Sequence, residues 1–127
     1  MTRVLTSHAA PLLAMALLLG LSGCGEPTRV ELGGRAIELR LDEFRIEPPH
    51  VGARAGRLRI FARAAGSLAH NLRLLSEDES EIHARVPAMK PGVVRAVEAT
   101  LLPGNYVWIC SIGNHRELGM RGTLRVR

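Results

Sequence analysis

Cysteine, proline and aromatic side chains are all scarce in this chain, which has two Cys, seven Pro, one Trp, one Tyr and two Phe among 127 residues. So little proline excludes a collagen-like chain, and the lack of heptads excludes a coiled coil. No G-x-G-x-x-G is present, so a dinucleotide-binding fold has no signature here. The length leaves room for one small domain and not for a second. No apolar run reaches the roughly 18 residues that a membrane-spanning helix needs.

What is present begins with a leader. Arg3 supplies a positive start, and Ala9 to Leu21 is an apolar core of signal-peptide length. It runs into Leu21-Ser22-Gly23-Cys24, which resembles the lipobox of bacterial lipoproteins, where the cysteine thiol receives the lipid. The expected organisation is a lipoprotein signal peptide over residues 1–23, a lipid-anchored linker over 24–34 and a single domain over 35–127. Gly25 follows Cys24 where an Asp would signal inner-membrane retention, so the outer membrane is expected if the source is Gram-negative. Removing the leader takes away one charged residue, Arg3, and leaves a mildly basic domain. With Cys24 lipidated, Cys110 has no disulfide partner; a lone thiol in an oxidising compartment must be buried, catalytic or bound to metal.

Beyond the linker the pattern is that of strands. Ile37, Leu39 and Leu41 alternate with polar residues, as do Leu58, Ile60 and Ala62, and then Leu72 and Leu74. Turn residues punctuate the chain at Pro48-Pro49, Gly52 to Gly56, Ala65-Gly66-Ser67, Pro91-Gly92 and Pro103-Gly104. This predicts an all-β, Greek-key antiparallel β-sandwich. Residues 76–88 break the rhythm and read as an acidic loop or one helical turn before Pro87. Three closing strands are expected: Val93 to Leu101, Tyr106 to Cys110 and Gly122 to Val126. Tyr106, just after a Pro-Gly turn, is placed like a Greek-key corner tyrosine. Tyr106, Trp108 and Cys110 share a face, so a core Trp108 brings Cys110 inward.

The inward thiol opens a C-x4-H-x4-M loop, Cys110, His115 and Met120, between two strands, and His70-Asn71 stands at the start of an earlier strand. One thiolate, two imidazoles and a thioether form the donor set of a blue-copper centre, a His2Cys plane with a weak axial Met. Thiolate and imidazole hold both copper oxidation states, while the soft thioether favours the reduced one. Zinc fits less well, because structural zinc sites take four firm N/S ligands. His50 and His83 have no such context and are expected to be solvent-exposed; Met89 is expected as apolar wall and not as a ligand.

Leu102-Pro103-Gly104-Asn105-Tyr106 leading to Cys110, then Asn114-His115 and Gly119-Met120-Arg121-Gly122-Thr123-Leu124, together with Gly66 to Leu72 and Lys90-Pro91-Gly92, resemble the cupredoxins. The likeness runs from about Ile37 to the C-terminus, and its loop spacing is similar to the auracyanin and rusticyanin type. The resemblance implies one type 1 copper held through Nδ1 of His70 and His115 and by Cys110, with Met120 axial. It also implies that Asn71 ties the ligand loops together by hydrogen bonds. Where many members carry Asn-x-Gly before the first ligand, this chain has Ala64-Ala65-Gly66, so a looser turn is expected there. With Asn114 in place of a second Cys, the site is expected to be mononuclear.

The function that follows is a one-electron carrier, with copper storage or delivery as the alternative. No His-x-His pair of the kind multicopper enzymes use is present, so an enzyme is not expected. The resemblance places the His115 ring edge at the surface, with Ile112 and Leu118 beside it for docking. The positive charge points to an acidic redox partner, such as a c-type cytochrome or a membrane electron-transfer complex. The chain is expected to be monomeric, exported, anchored to a membrane by its N-terminal lipid, and without a nucleic-acid partner.

Overall fold

The computed structural model describes Val30–Glu31 and residues 35–127. The expected leader, Cys24, and the expected linker apart from Val30–Glu31 lie outside the described residues. Among the described residues the regular structure is all strand, and no helix is long and apolar enough to cross a membrane.

The strands are β1 (Val30–Glu31), β2 (Ala36–Asp42), β3 (Arg45–Glu47), β4 (His50–Ala53) and β5 (Gly56–Ala64), then β6 (His70–Ser76), β7 (Ile82–Met89), β8 (Val94–Leu101), β9 (Gly104–Ile109) and β10 (Arg121–Val126). They form a six-stranded sheet in the order β1-β4-β10-β9-β6-β7 and a four-stranded sheet in the order β3-β2-β5-β8. The alternation read from the sequence gives the inner faces directly. Ile37, Leu39 and Leu41 of β2 and Leu58, Ile60 and Ala62 of β5 are buried, and they meet Leu72, Leu74, Trp108 and Leu124 of the larger sheet in one core. Tyr106 sits at the expected corner, its hydroxyl donating to the Leu102 carbonyl at 2.8 Å.

Both sheets are mixed. Strand β2 runs parallel to β5, and β4 runs parallel to β10 and to β1, while the remaining pairs are antiparallel. Period-2 patterning specifies a buried face but carries no strand direction. Gly52 lies inside β4 rather than in a turn, so only residues 54 and 55 separate β4 from β5, and in that span the chain passes from one sheet to the other.

Residues 76–88 hold the clearest departure from the expected pattern. A tight turn is closed by the Asp78 carboxylate, which accepts from the hydroxyls of Ser76 and Ser80, both at 2.7 Å, and from the Ser80 amide at 3.1 Å. The chain then forms β7 instead of a loop, and Pro87 lies within it. Proline lacks an amide donor and is tolerated on an edge strand or at a bulge. Strand β7 is the sheet edge, and its register with β6 shifts between the pairs Leu72–Val86 and His70–Met89. The shift breaks the sequence alternation there, which is why the strand was not legible.

Packing is tight where Gly122 of β10 pairs with Trp108 of β9. A Cβ on Gly122 would come within 2.5 Å of the Pro49 carbonyl oxygen and of Trp108 Nε1. Gly122→Ala is therefore expected to lower stability by about 1–3 kcal/mol, as overpacked core positions do, read from urea denaturation followed by Trp108 fluorescence.

Candidate metal centre

Three strand ends build the site. Strand β9 is central and antiparallel to both β6 and β10, so the start of β6, the end of β9 and the start of β10 lie at one end of the larger sheet. His70 is the first residue of β6, Cys110 follows β9, and Met120 precedes β10. Residues 110–120 coil between β9 and β10 in successive turns. Within them the amides of His115, Leu118 and Gly119 donate to the carbonyls of Ile112, Asn114 and Arg116. The loop is then closed on itself: the Cys110 amide donates to the Met120 carbonyl at 3.1 Å, and the Met120 amide to the His115 carbonyl at 2.9 Å.

The donor atoms of His70, Cys110 and His115 all lie within 4.8 Å of one another. Cys110 Sγ is 3.6 Å from His115 Nδ1, and the two imidazole centroids are 5.3 Å apart. Cys110 and Met120 are fully buried, as is His70, whereas His115 is half-buried. Neither ring nitrogen of His70 has a hydrogen-bond partner. A buried polar atom without a partner costs about 1–3 kcal/mol, and two on one ring mark a group whose lone pair is reserved for something else. Burial, reinforced by repulsion from His115, lowers the His70 pKa and keeps the ring neutral, against a smaller opposing pull from the carboxylates of Glu43 and Asp42. A neutral imidazole is the form that binds metal. The residues present therefore fit a soft metal ion.

Asn71 holds β6 to the 110–120 loop. Its Oδ1 accepts from the Ser111 amide at 2.7 Å, and its Nδ2 donates to Ser111 Oγ at 3.0 Å. Met89 is buried, opposite His70 in the β6–β7 register, and so shares its face. Leu118 is exposed, as is Leu68 close by in sequence to His70, whereas Ile112 packs in part against the core. Two histidines depart from expectation, since both are half-buried. His50 Nδ1 is 2.9 Å from Thr123 Oγ1, and the His83 ring stands edge-on to Tyr106. Both packing partners lie far away in sequence, which is why exposure was the expectation.

Other residues at the site carry no signal of their own in the sequence. Glu79, in the β6–β7 turn, pairs with Arg116 at 2.7 Å and Arg121 at 3.3 Å, and so braces both ends of the residues that follow His115. The β2–β3 turn brings Glu43 to the loop before His70. There the Glu43 carboxylate accepts from the amides of Ser67 and Leu68, the latter at 2.8 Å, and from the Ser67 hydroxyl at 3.2 Å. The turn expected to be loose for want of an Asn is thus held by an acid from the neighbouring β2–β3 turn. These bonds, the Leu68 amide foremost, lower the Glu43 pKa from the ordinary 4.5 to about 2.

No family model matches the sequence, and no curated protein does either. Solved structures do. Dithionite-reduced auracyanin from Roseiflexus castenholzii superimposes with a TM-score of 0.69 at 18% identity, over 76% of this chain and 99% of that one. Auracyanin B gives 0.66 at 20% identity, over 81% and 93%, and a rusticyanin variant 0.60 at 14%, over 76% and 80%. The chain has the cupredoxin fold.

Two measurements check these contacts. Asn71→Ala, which removes both bonds to Ser111, is expected to cost about 1–3 kcal/mol in urea denaturation of the metal-free protein. The pH dependence has a definite sign, because a carboxyl with a lowered folded pKa adds stability above its unfolded value and loses it as the folded value is approached. As pH falls, Tm should begin to drop below about 6.5, because the buried His70 imidazole resists the proton that its unfolded form takes up, and drop further from pH 4.5 toward 2, the window set by Glu43. Glu43→Gln should make the fall shallower, leaving the share of Asp78, held at about 2 mainly by the Ser76 hydroxyl.

Proposed function

We propose that this chain is an extracytoplasmic type 1 copper protein that carries single electrons between redox partners and is not itself an enzyme. The observation that carries the reading is the buried, unpartnered imidazole of His70 beside the donor atoms of Cys110 and His115. His70, Cys110 and His115 would hold copper, with the Met120 thioether as a further weak donor, and the metal would supply one-electron redox chemistry. The chain's own residues do the rest. Burial excludes water from Cys110, His70 and Met120. The Asn71–Ser111 bonds and the closed 110–120 loop fix the donors before any ligand arrives, so little rearrangement accompanies a change of charge. Of the two imidazoles only His115 reaches the surface, with Leu118 exposed nearby, which makes it the exit for the electron and that end of the sandwich the docking face.

A c-type cytochrome or a membrane electron-transfer complex with an acidic face suits the basic balance of the chain. Export and lipid anchoring at Cys24 are supported by the apolar leader and the Leu-Ser-Gly-Cys order, and the carrier would act as a monomer. The same donors would serve copper delivery, and the experiment separates the two roles. Copper-loaded protein is expected to show an intense visible thiolate-to-copper band that is absent in Cys110→Ser, with the metal retained through repeated reduction and reoxidation. Loss of copper to a Cu(I) chelator on reduction would favour delivery, and absence of the band from the wild-type chain would end the copper reading.

A further inference from the structure

Of the four residues of the proposed metal site, His70, Cys110 and Met120 lie at strand ends of the larger sheet and His115 in the loop between β9 and β10, and the tip of the β2–β3 hairpin of the smaller sheet reaches this end of the molecule as well. Two adjacent residues there touch different halves of the site. Glu43 takes the Ser67 and Leu68 amides and the Ser67 hydroxyl, two and three residues ahead of His70. The Phe44 ring stands edge-on to the His115 ring, with centroids 5.4 Å apart and planes at 79°. The Phe44 carbonyl oxygen lies where a Cβ on Gly119 would come within 2.7 Å, directly before Met120.

Each contact meets a glycine. A Cβ on Gly66 would collide with the Glu43 carboxylate, as one on Gly119 would with the Phe44 carbonyl. Phe44 also has φ of 58°, a region that Gly, Asn or Asp occupies readily in a turn and a bulky side chain does not. Backbone of this kind persists where the surroundings over-determine it. The Phe44 ring is half-buried and packs against the core, so it is the ring's packing and not the reversal of the chain that calls for phenylalanine at that position.

We propose that Glu43 and Phe44 form a two-pronged clamp that holds the His70 and His115 imidazoles in register across the sandwich. Glu43 is the positioning residue for His70, through the Ser67 and Leu68 amides. Phe44 is the positioning residue for His115 and for the Gly119–Met120 end of the loop. The consequence for electron transfer rests on the copper reading above, whereas the clamp itself is a property of the metal-free fold.

The test uses the full chain, metal-free and copper-loaded, with Glu43→Ala, Glu43→Gln, Gly66→Ala and Phe44→Gly. Gly66→Ala displaces the Glu43 carboxylate without removing it, and Phe44→Gly deletes the ring while relieving the backbone. In metal-free protein, amide exchange at Leu68, normalised to core amides such as Ile60, is expected to speed at least ten-fold in Glu43→Ala and Gly66→Ala. Glu43→Gln, which keeps one acceptor oxygen, should recover part of the protection. Phe44→Gly should shift the His115 ring resonances and leave Leu68 exchange near wild type. In copper-loaded protein the Glu43→Ala and Phe44→Gly EPR signals should broaden or split into several species, with Glu43→Gln closer to wild type.

Leu68 exchange within two-fold of wild type in both Glu43→Ala and Gly66→Ala would overturn the clamp. So would His115 resonances unmoved in Phe44→Gly, or EPR signals in all variants identical to that of wild type. If Glu43→Ala does not fold, Glu43→Gln and Gly66→Ala read the same prong. If the wild-type chain takes up no copper, the function proposed above falls, and the exchange and ring-shift measurements still decide the clamp.

Discussion

A neutral imidazole shut inside a β-sandwich with neither nitrogen satisfied is the feature around which the rest of this molecule is organised. Left alone, His70 would be a defect in the core. It is placed there by the first position of β6, beside the thiol of Cys110 directly after β9, and the two strands are hydrogen-bonded neighbours. The destabilising burial and the binding capacity are the same fact. Water is kept from the ring, protonation is discouraged, and three donor atoms are gathered within 4.8 Å.

Around that centre the fold adds restraint from several directions. Asn71 links β6 to the ligand loop through Ser111, and Glu79 links the β6–β7 turn to the same loop through Arg116 and Arg121. The smaller sheet contributes through its hairpin tip. The loop between β9 and β10 also bonds its first residue to its last. The two histidines are left unlike each other, one sealed and one at the rim. The electron-carrier role proposed above would call for that asymmetry, since donors must be held against rearrangement while one edge stays within reach of a partner.

The legibility of this arrangement in the sequence divides by range. Local regularities were readable. Alternation in β2, β5 and β9 gave their inner faces, the Pro-Gly turn placed Tyr106, and parity carried Cys110 inward with Trp108. The spacing of Cys110, His115 and Met120 in a single loop made that part of the candidate site conspicuous, and His70-Asn71 at a strand start supplied the remainder. Where the pattern was interrupted, reading failed. The register shift in β7 hid a strand that contains Pro87, and the burial of His50 and His83 depends on Thr123 and Tyr106.

What the sequence determined by itself is the longer strands β2, β5, β6, β8, β9 and β10, the inner faces marked by their alternation, and a donor constellation whose chemistry follows from residue type and short spacing. The tertiary structure decided strand direction and order, and with them which distant residues serve the site. Glu43, Phe44 and Glu79 stand on turns whose local sequence is ordinary; Glu43 and Phe44 come to the site from the smaller sheet, and Glu79 comes to it through strand order within the larger one. Period-2 burial is written along the chain, residue by residue. A contact between one sheet's hairpin and the other sheet's loops depends on how the two sheets stack, and no single stretch of sequence carries that information.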